Sequence, residues 1–300
     1  MENQFEVIIV GGSYSGLSAA MALGRASRSV LIIDSGKPCN RQTPHSHNFL
    51  TQDDETPAAI AEIAKEQVMR YPSIIFKEGT AVSVSGSDGS FVVSTLKGQE
   101  YRAKKILFAA GVKDTMPEIN GFAACWGISV IHCPYCHGYE VKQQKTGLFS
   151  NGDMAYHMVQ LLLQWTSDLT LFTNGKSTLT PEQTLKLQSK NITIVETEIK
   201  ELIHTNGQLQ SIVMSDGTMD DINVLYAKIA FEQHCPIPKA LGCTLDEQGY
   251  LAVDDFKKTS IPGIFASGDC TTPGRAVAMA VEAGMRAGVT INMELCTEAF

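Results

Sequence analysis

Hydrophobic residues along this chain gather in short β-branched runs, each followed by a turn and then by a small-residue or amphipathic stretch. Residues 5–10 (FEVIIV) form the first run, which ends at Gly11-Gly12-Ser13-Tyr14-Ser15-Gly16. Residues 17–25 then read as a helix of small and apolar residues, and residues 29–33 as a second strand ending in Asp34. Residues 56–71 repeat with a helical period, with Ala59, Ile60, Ile63, Ala64, Gln67 and Val68 on one face. Strands are expected at 74–76, 81–84, 91–95 and 106–108, with Asp88-Gly89 turning a hairpin between two of them. From residue 145 the opening pattern returns: a strand at 145–150, a turn at 151–155, a helix at 156–165 and a strand at 168–172. Strands at 192–195, 199–204 and 209–214 follow, and Asn206-Gly207 joins the last two. The segment His234-Cys235-Pro236-Ile237-Pro238 breaks the pattern. Residues 261–269 then form a strand running into Gly268-Asp269, and Pro273–Val277 opens a small-residue helix reaching about residue 293.

This alternation predicts an α/β fold in which one strand–turn–helix–strand unit occurs twice. Three hundred residues suffice for two such units with cores of their own. The balance of 24 basic and 32 acidic residues, net charge −8, contains no Lys/Arg stripe and argues against a nucleic-acid partner. The start MENQFEV lacks the basic and apolar regions of an export signal, and no apolar run reaches membrane-spanning length. Eight cysteines without such a signal point to thiols in a reducing cytoplasm rather than to a disulfide scaffold.

The opening unit has the chemistry of a dinucleotide site. Gly11 allows the tight turn, Gly16 allows close packing of helix on strand, and the helix N-terminus faces a pyrophosphate. Asp34, about twenty residues on, suits a ribose hydroxyl. Ser13 replaces the middle glycine and is read as a variant of the motif. A polar stretch containing Cys39, Asn40, Arg41, His45 and His47 follows the second strand, where a bound dinucleotide would lie. The second unit is poorer: Ser150 replaces the first glycine, and its second strand ends in Thr173-Asn174-Gly175-Lys176 without the acid or arginine that a nicotinamide dinucleotide needs.

Between the two units lies CPYCHGYE, residues 133–140. Cys133 and Cys136 at this spacing can close a disulfide, and His137 is a titratable neighbour that can lower a thiol pKa or carry a proton. Zinc would require a second ligand pair, which the sequence does not offer. The run also fits the C-x-x-C-H haem attachment signal, and a chance pair of buried cysteines is the plainest alternative. No metal site is expected.

Four landmarks in order, VIIVGGSYSGLSAA, the AAG at Ala109, CPYC and GIFASGD, make the whole chain resemble the low-molecular-weight thioredoxin reductases. That resemblance implies two Rossmann-like, three-layer ββα domains, the second inserted into the first through a two-stranded hinge. FAD would lie on residues 1–114 and 244–300, and the cysteines on residues 115–243. Cys136 would face the flavin and Cys133 would exchange with the external thiol or disulfide. Cofactor contacts are implied at Gly11, Gly12, Ser13, Ser15, Gly16, Asp34, Asn40, Arg41, Ala110, Gly111, Gly268 and Asp269, with the backbone of Arg275, Ala276 and Val277 beside the flavin ring. A homodimer is implied as well. The chain departs from the family in having His137 where an aspartate is usual, and SNGDMA and TNGK in place of the NADPH motifs. In these respects it is more similar to the dithiol oxidases acting on gliotoxin and holomycin. The expected function is an FAD-dependent thiol/disulfide oxidoreductase acting on a small dithiol, a disulfide or a thioredoxin-like protein. Its electrons would pass to oxygen, or arrive from a non-nicotinamide donor such as ferredoxin. The alternatives are an NADPH-dependent thioredoxin reductase and a non-catalytic flavin-binding redox sensor.

Overall fold

The chain divides into two units, seen in a computed structural model that describes residues 3–300. The first comprises the chain up to Arg41, Phe49–Lys113 and Phe231–Phe300; the second comprises Gln42–Asn48 and Asp114–Ala230.

In the first unit, β1 (Gln4–Val10) runs into α1 (Tyr14–Arg25), followed by β2 (Val30–Asp34), α2 (Pro57–Met69) and β3 (Ile74–Glu78). The expected helix at 56–71 begins at Thr56, whose side chain accepts the Ala59 N–H. A hairpin of β4 (Ala81–Ser85) and β5 (Phe91–Thr95) leads to β6 (Glu100–Phe108). β6 is six residues longer at its start than the expected strand at 106–108, because Tyr101, Ala103 and Lys105 all point inward and a buried lysine disguises the alternation. A short β7 (Val112–Asp114) ends this stretch.

The second unit holds α3 (Phe122–Cys125), β8 (Val130–Ile131), α4 (Pro134–His137), β9 (Thr146–Phe149), α5 (Gly152–Leu162) and β10 (Leu169–Phe172). It continues through α6 (Pro181–Gln188), β11 (Thr193–Val195), β12 (Ile199–Thr205), β13 (Gln208–Met214), β14 (Met219–Asp220) and β15 (Val224–Ala227). The expected turn at 151–155 is in fact the first turn of α5, because Asn151 caps it.

Returning to the first unit, β16 (Phe231–Gln233) pairs with β7. α7 (Ile237–Ala240), β17 (Ile264–Ala266) and α8 (Val277–Ala299) complete it. The first unit resumes at Phe231, ahead of the domain return expected at residue 244: Ile237, Leu241 and Cys243 pack into the core around Phe5, Ile8 and Phe91. The segment 42–48, expected in the first domain, belongs to the second unit.

The two units share a topology. The first has parallel neighbours in the order β3-β2-β1-β6, with β17 on the far half of β6 and the antiparallel β5-β4 on its near half. The second has β11-β10-β9-β15-β8, all parallel, with a separate antiparallel sheet β12-β13-β14. The first unit thus extends a Rossmann-like parallel sheet with an antiparallel hairpin, and the second pairs such a sheet with a separate antiparallel one. On β1, Val7 and Ile9 face the helices while Ile8 and Val10 face the other side, which is the period-2 alternation of a sheet covered on both faces.

Candidate functional site

The glycine turn after β1 is shaped by close backbone approach. Gly11 has φ +107°, and a Cβ there would lie 2.4 Å from the Ala109 carbonyl oxygen. A Cβ on Gly16 would lie 1.9 Å from the carbonyl oxygen of Gly11. The Gly12 N–H donates to Asp34 Oδ2 at 2.6 Å and Gly36 N–H to Oδ1 at 2.7 Å, so the carboxylate is fixed at the carboxyl end of β2. Ser13 is the N-cap of α1, yet its side chain makes no capping hydrogen bond, and no acid occupies the first turn. The N-terminus of α1 is therefore left with donors for an anion.

Ser15 has a different role from its neighbours. It is buried and hydrogen-bonded to Ser267 Oγ at 2.7 Å, locking the first turn of α1 to the end of β17. The backbone behind it meets α8, where a Cβ on Gly284 would lie 2.0 Å from the Ser15 carbonyl oxygen, and one on Gly288 2.6 Å from that of Ala19. Ser267, Gly284 and Gly288 were not anticipated from the sequence, although glycines four apart in a helix are a signal of close packing. At the end of β17, Gly268 takes φ +82° and Asp269 lies 3.9 Å from Arg275 Nε and 3.9 Å from Cys39 Sγ. Ala276 caps α8, and Val277 packs with Tyr14, Ile60 and Ala280. Asn40 reaches the Tyr14 hydroxyl at 3.4 Å. Arg41 is exposed and bonds to the Pro38 carbonyl, and Gly111 has φ +67° next to Ala110. These groups gather at the carboxyl ends of β1, β2, β6 and β17, where ligands of open α/β sheets bind.

The corresponding turn of the second unit is closed by its own side chains. Asn151 Oδ1 accepts the Gly152 N–H at 2.8 Å and the Thr178 N–H at 2.9 Å, while Nδ2 donates to the carbonyls of Thr173 and Lys176. Asp153 lies in the first turn of α5 and accepts from Gln183 Nε2 at 2.7 Å. A phosphate here would meet a donor already used and a carboxylate of its own sign.

Cys133 and Cys136 form a disulfide, whereas six other cysteines remain as thiols. Pro134 begins the single turn of α4, and Cys133 caps it: its Sγ accepts the Cys136 N–H at 3.1 Å. That bond would strengthen with a negative charge on Cys133, favouring its thiolate once the disulfide is open. Tyr135 is exposed and stands edge-on to Trp165 at 5.6 Å between centroids. His137 is half-buried, and burial, with a smaller contribution from His47, holds its pKa below the ordinary histidine value against the pull of Glu140. His47 brings its ring edge-on to His137 at 6.2 Å and its Nδ1 within 3.7 Å of Glu140 Oε1. Cys270 is fully buried beside Asp269, and burial pushes its thiol up to about 12, which leaves it inert. Among the described residues, no helix is long and apolar enough to cross a membrane.

A family model described as pyridine nucleotide-disulphide oxidoreductase matches residues 5–288. Thioredoxin reductase sirT of Leptosphaeria maculans is 30% identical over 307 residues, covering 97% of this chain and 94% of that protein. Thioredoxin reductase tcpT of Claviceps purpurea is 30% identical over 307 residues, covering 99% and 96%. The crystal structure of an oxidoreductase from Agrobacterium tumefaciens matches with a TM-score of 0.92 at 37% identity, over 98% of this chain and 99% of that one.

Proposed function

The chain belongs to the pyridine nucleotide-disulphide oxidoreductase family, and on that premise we propose that it exchanges thiols for disulfides at Cys133–Cys136 without drawing on a nicotinamide. It is an FAD-dependent disulfide oxidoreductase of thioredoxin-reductase type. The first unit fits that cofactor: a turn too tight for any Cβ at Gly11, an uncapped α1 N-terminus, and Asp34 held by two backbone N–H groups. Gly11, Gly12, Ser13 and Gly16 would cradle its phosphates, Asp34 a ribose and Asp269 the ribityl chain. Asn40, Arg41, Ala110, Gly111, Gly268 and Arg275–Val277 would complete the site. Ser15 contributes its backbone, since its hydroxyl is engaged with Ser267. When bound, FAD supplies a two-electron redox couple.

The observation that carries the nicotinamide-free reading is the Asn151 side chain on the α5 N-terminus, with Asp153 beside it. In the exchange itself, a thiolate of a small dithiol attacks one sulfur of the disulfide, and Cys133 is the sulfur assigned to that contact. The second substrate thiol then resolves the mixed disulfide. The substrate leaves as a disulfide, and Cys133 and Cys136 are left as two thiols. His137, proton-free at neutral pH, takes the proton from the incoming thiol. With oxygen as final acceptor this direction is a dithiol oxidase; the reverse, fed by a non-nicotinamide donor, is a reductase. The exposed row Met285, Val289 and Met293 on α8 supports a homodimer, and the six thiols support a reducing cytoplasm.

The test is anaerobic mixing of the purified flavoprotein with NADPH, NADH or dithiothreitol while the flavin absorbance is followed. Bleaching by dithiothreitol, recovery in air and no fast response to either nicotinamide is the expected result. Rapid bleaching by NADPH would overturn the nicotinamide-free reading and restore an ordinary thioredoxin reductase. No response to any thiol or disulfide would leave a flavin-binding sensor.

A further inference from the structure

The segment 42–48 is separated from the cysteines by more than eighty residues of sequence, yet it belongs to the same unit as the disulfide. Ser46 is buried there, and His47, with only 12% of its side chain exposed, stands between Glu140 and His137. We propose that His47, paired with Glu140, is a positioning residue of the disulfide site: its ring edge faces His137 and keeps His137 in the proton-free form that accepts a proton from an incoming thiol. This rests on the reading of His137 as the base at Cys133–Cys136.

The electrostatics follow from the geometry. A proton on His47 is balanced by the Glu140 carboxylate 3.7 Å from its Nδ1. A second proton on His137, 6.2 Å away between ring centroids, would place two cations side by side in a half-buried site. The carboxylate thus makes the His47 position the better seat for a positive charge, and a second charge on His137 is disfavoured. Glu140 acts directly on His137 too, in the opposite sense, but burial and His47 together prevail. The remaining neighbours do not reverse this. His45 stands 6.5 Å beyond His47, and the Tyr226 phenol on β15 is buried, its pKa raised by burial and then by Glu140, so it stays neutral. When His137 takes the thiol proton, the same repulsion favours passing it on to the cysteine sulfur set free, which resets the site for the second thiol.

The variants His47→Asn and His47→Lys separate this role from packing. Asparagine removes the charge, and lysine keeps a cation beside Glu140. In FAD-loaded protein the His137 imidazole is titrated by NMR, and flavin bleaching by dithiothreitol is measured from pH 5 to 8. His47→Asn should raise the His137 titration midpoint and cut the rate at the acid end roughly threefold relative to the rate at pH 8, as expected for losing one cation at this range. His47→Lys should restore both. If the His137 titration and the normalised rate profile of His47→Asn superpose on wild type, His47 has no such role. The reading of His137 as base fails separately, if His137→Ala leaves the bleaching rate unchanged while His47→Asn still shifts the His137 titration.

Discussion

Asn151 is the residue whose removal tests most directly why the second glycine turn is closed. Its amide oxygen accepts from the Gly152 N–H and Thr178 N–H, and its amide nitrogen donates to the Thr173 and Lys176 carbonyls. Asn151→Ala removes the α5 cap, at about 1 kcal/mol. The ties to residues 173–178 lie at an exposed surface where water replaces them, so they add about 0.5–1 kcal/mol in total. The expected loss is about 2 kcal/mol in urea unfolding followed by circular dichroism. Asn151→Asp keeps the acceptor and adds a charge suited to a helix N-terminus, but it loses both donors, so it should cost about half as much. A loss below about 0.5 kcal/mol for the alanine variant would mean that the side chain does not hold this turn. Neither variant should gain NADPH-driven bleaching, because Asp153 remains and no arginine is present to hold a phosphate. Gain of such bleaching in Asn151→Ala would show that the cap alone blocked the site.

Lys105 is fully buried, with its ammonium on Asp88 at 2.7 Å, on Glu298 and 3.8 Å from Glu294. Lys105→Met should cost about 3 kcal/mol, the low end for a broken buried pair because the carboxylates reach water; a loss under 1 would refute it. Burial opposes that charge but the bonds to Asp88 and Glu298 outweigh it and raise the lysine pKa, so this stabilisation is complete below about 10.4 and fades as pH rises through the native value. The urea midpoint of wild type, not of Lys105→Met, should lose this component in strong base. Gly284→Ala places a Cβ 2.0 Å from the Ser15 carbonyl and should lower stability by about 1–3 kcal/mol together with flavin retention, read from the visible to ultraviolet absorbance ratio. Unchanged flavin retention would separate the α1–α8 contact from the cofactor site. The lowered His137 pKa predicts an acid limb of the dithiol rate below about pH 6.5, and a limb at or above it would contradict a proton-free base. Cys270 should stay unmodified by an aromatic disulfide reagent until the protein is unfolded, whereas exposed Cys296 reacts at once.

Much of the fold could be read from the sequence because its elements follow local rules. The run at 5–10, the glycine turn and the small-residue helix announce β1 and α1 at the right places, and their repetition after residue 145 announces the second sheet. Reading failed where a non-local contact overrode the pattern. Lys105 breaks the alternation of β6 because its partners come from a hairpin turn and from the last helix. β16 is a three-residue strand whose signature is its pairing with β7, so no local pattern marks residue 231 as the start of the returning segment. The polar segment 42–48 carries no pattern at all, and nothing local says that it packs with the cysteines. For the candidate site, the residue types were legible and their engagement was not. The sequence does not show that the Ser15 hydroxyl is engaged by Ser267, whereas asparagine before an apolar helical run, as at Asn151, is a capping signal.

The two glycine turns differ in how their helix N-termini are satisfied. A helix N-terminus has unpaired N–H groups, and either the chain or a ligand must satisfy them. In α5 the chain does so, through Asn151 and the loop at 173–178, and Asp153 adds a charge that favours the helix and disfavours a phosphate. In α1 no side chain caps the end and no acid stands in the first turn, although Ser13 is of a type that could cap. Leaving that cap unmade forgoes about 1 kcal/mol of helix stability. A tightly bound dinucleotide more than restores it, since a ligand present at a hundred times its dissociation constant adds about 2.7 kcal/mol. On this argument the first unit depends on its cofactor for stability and the second does not. Flavin removal should therefore lower the unfolding midpoint of the first unit, while hydrogen exchange at α5 stays as slow as before. Equal loss of protection at α1 and α5 would mean that the capping difference does not decide which turn is a binding site.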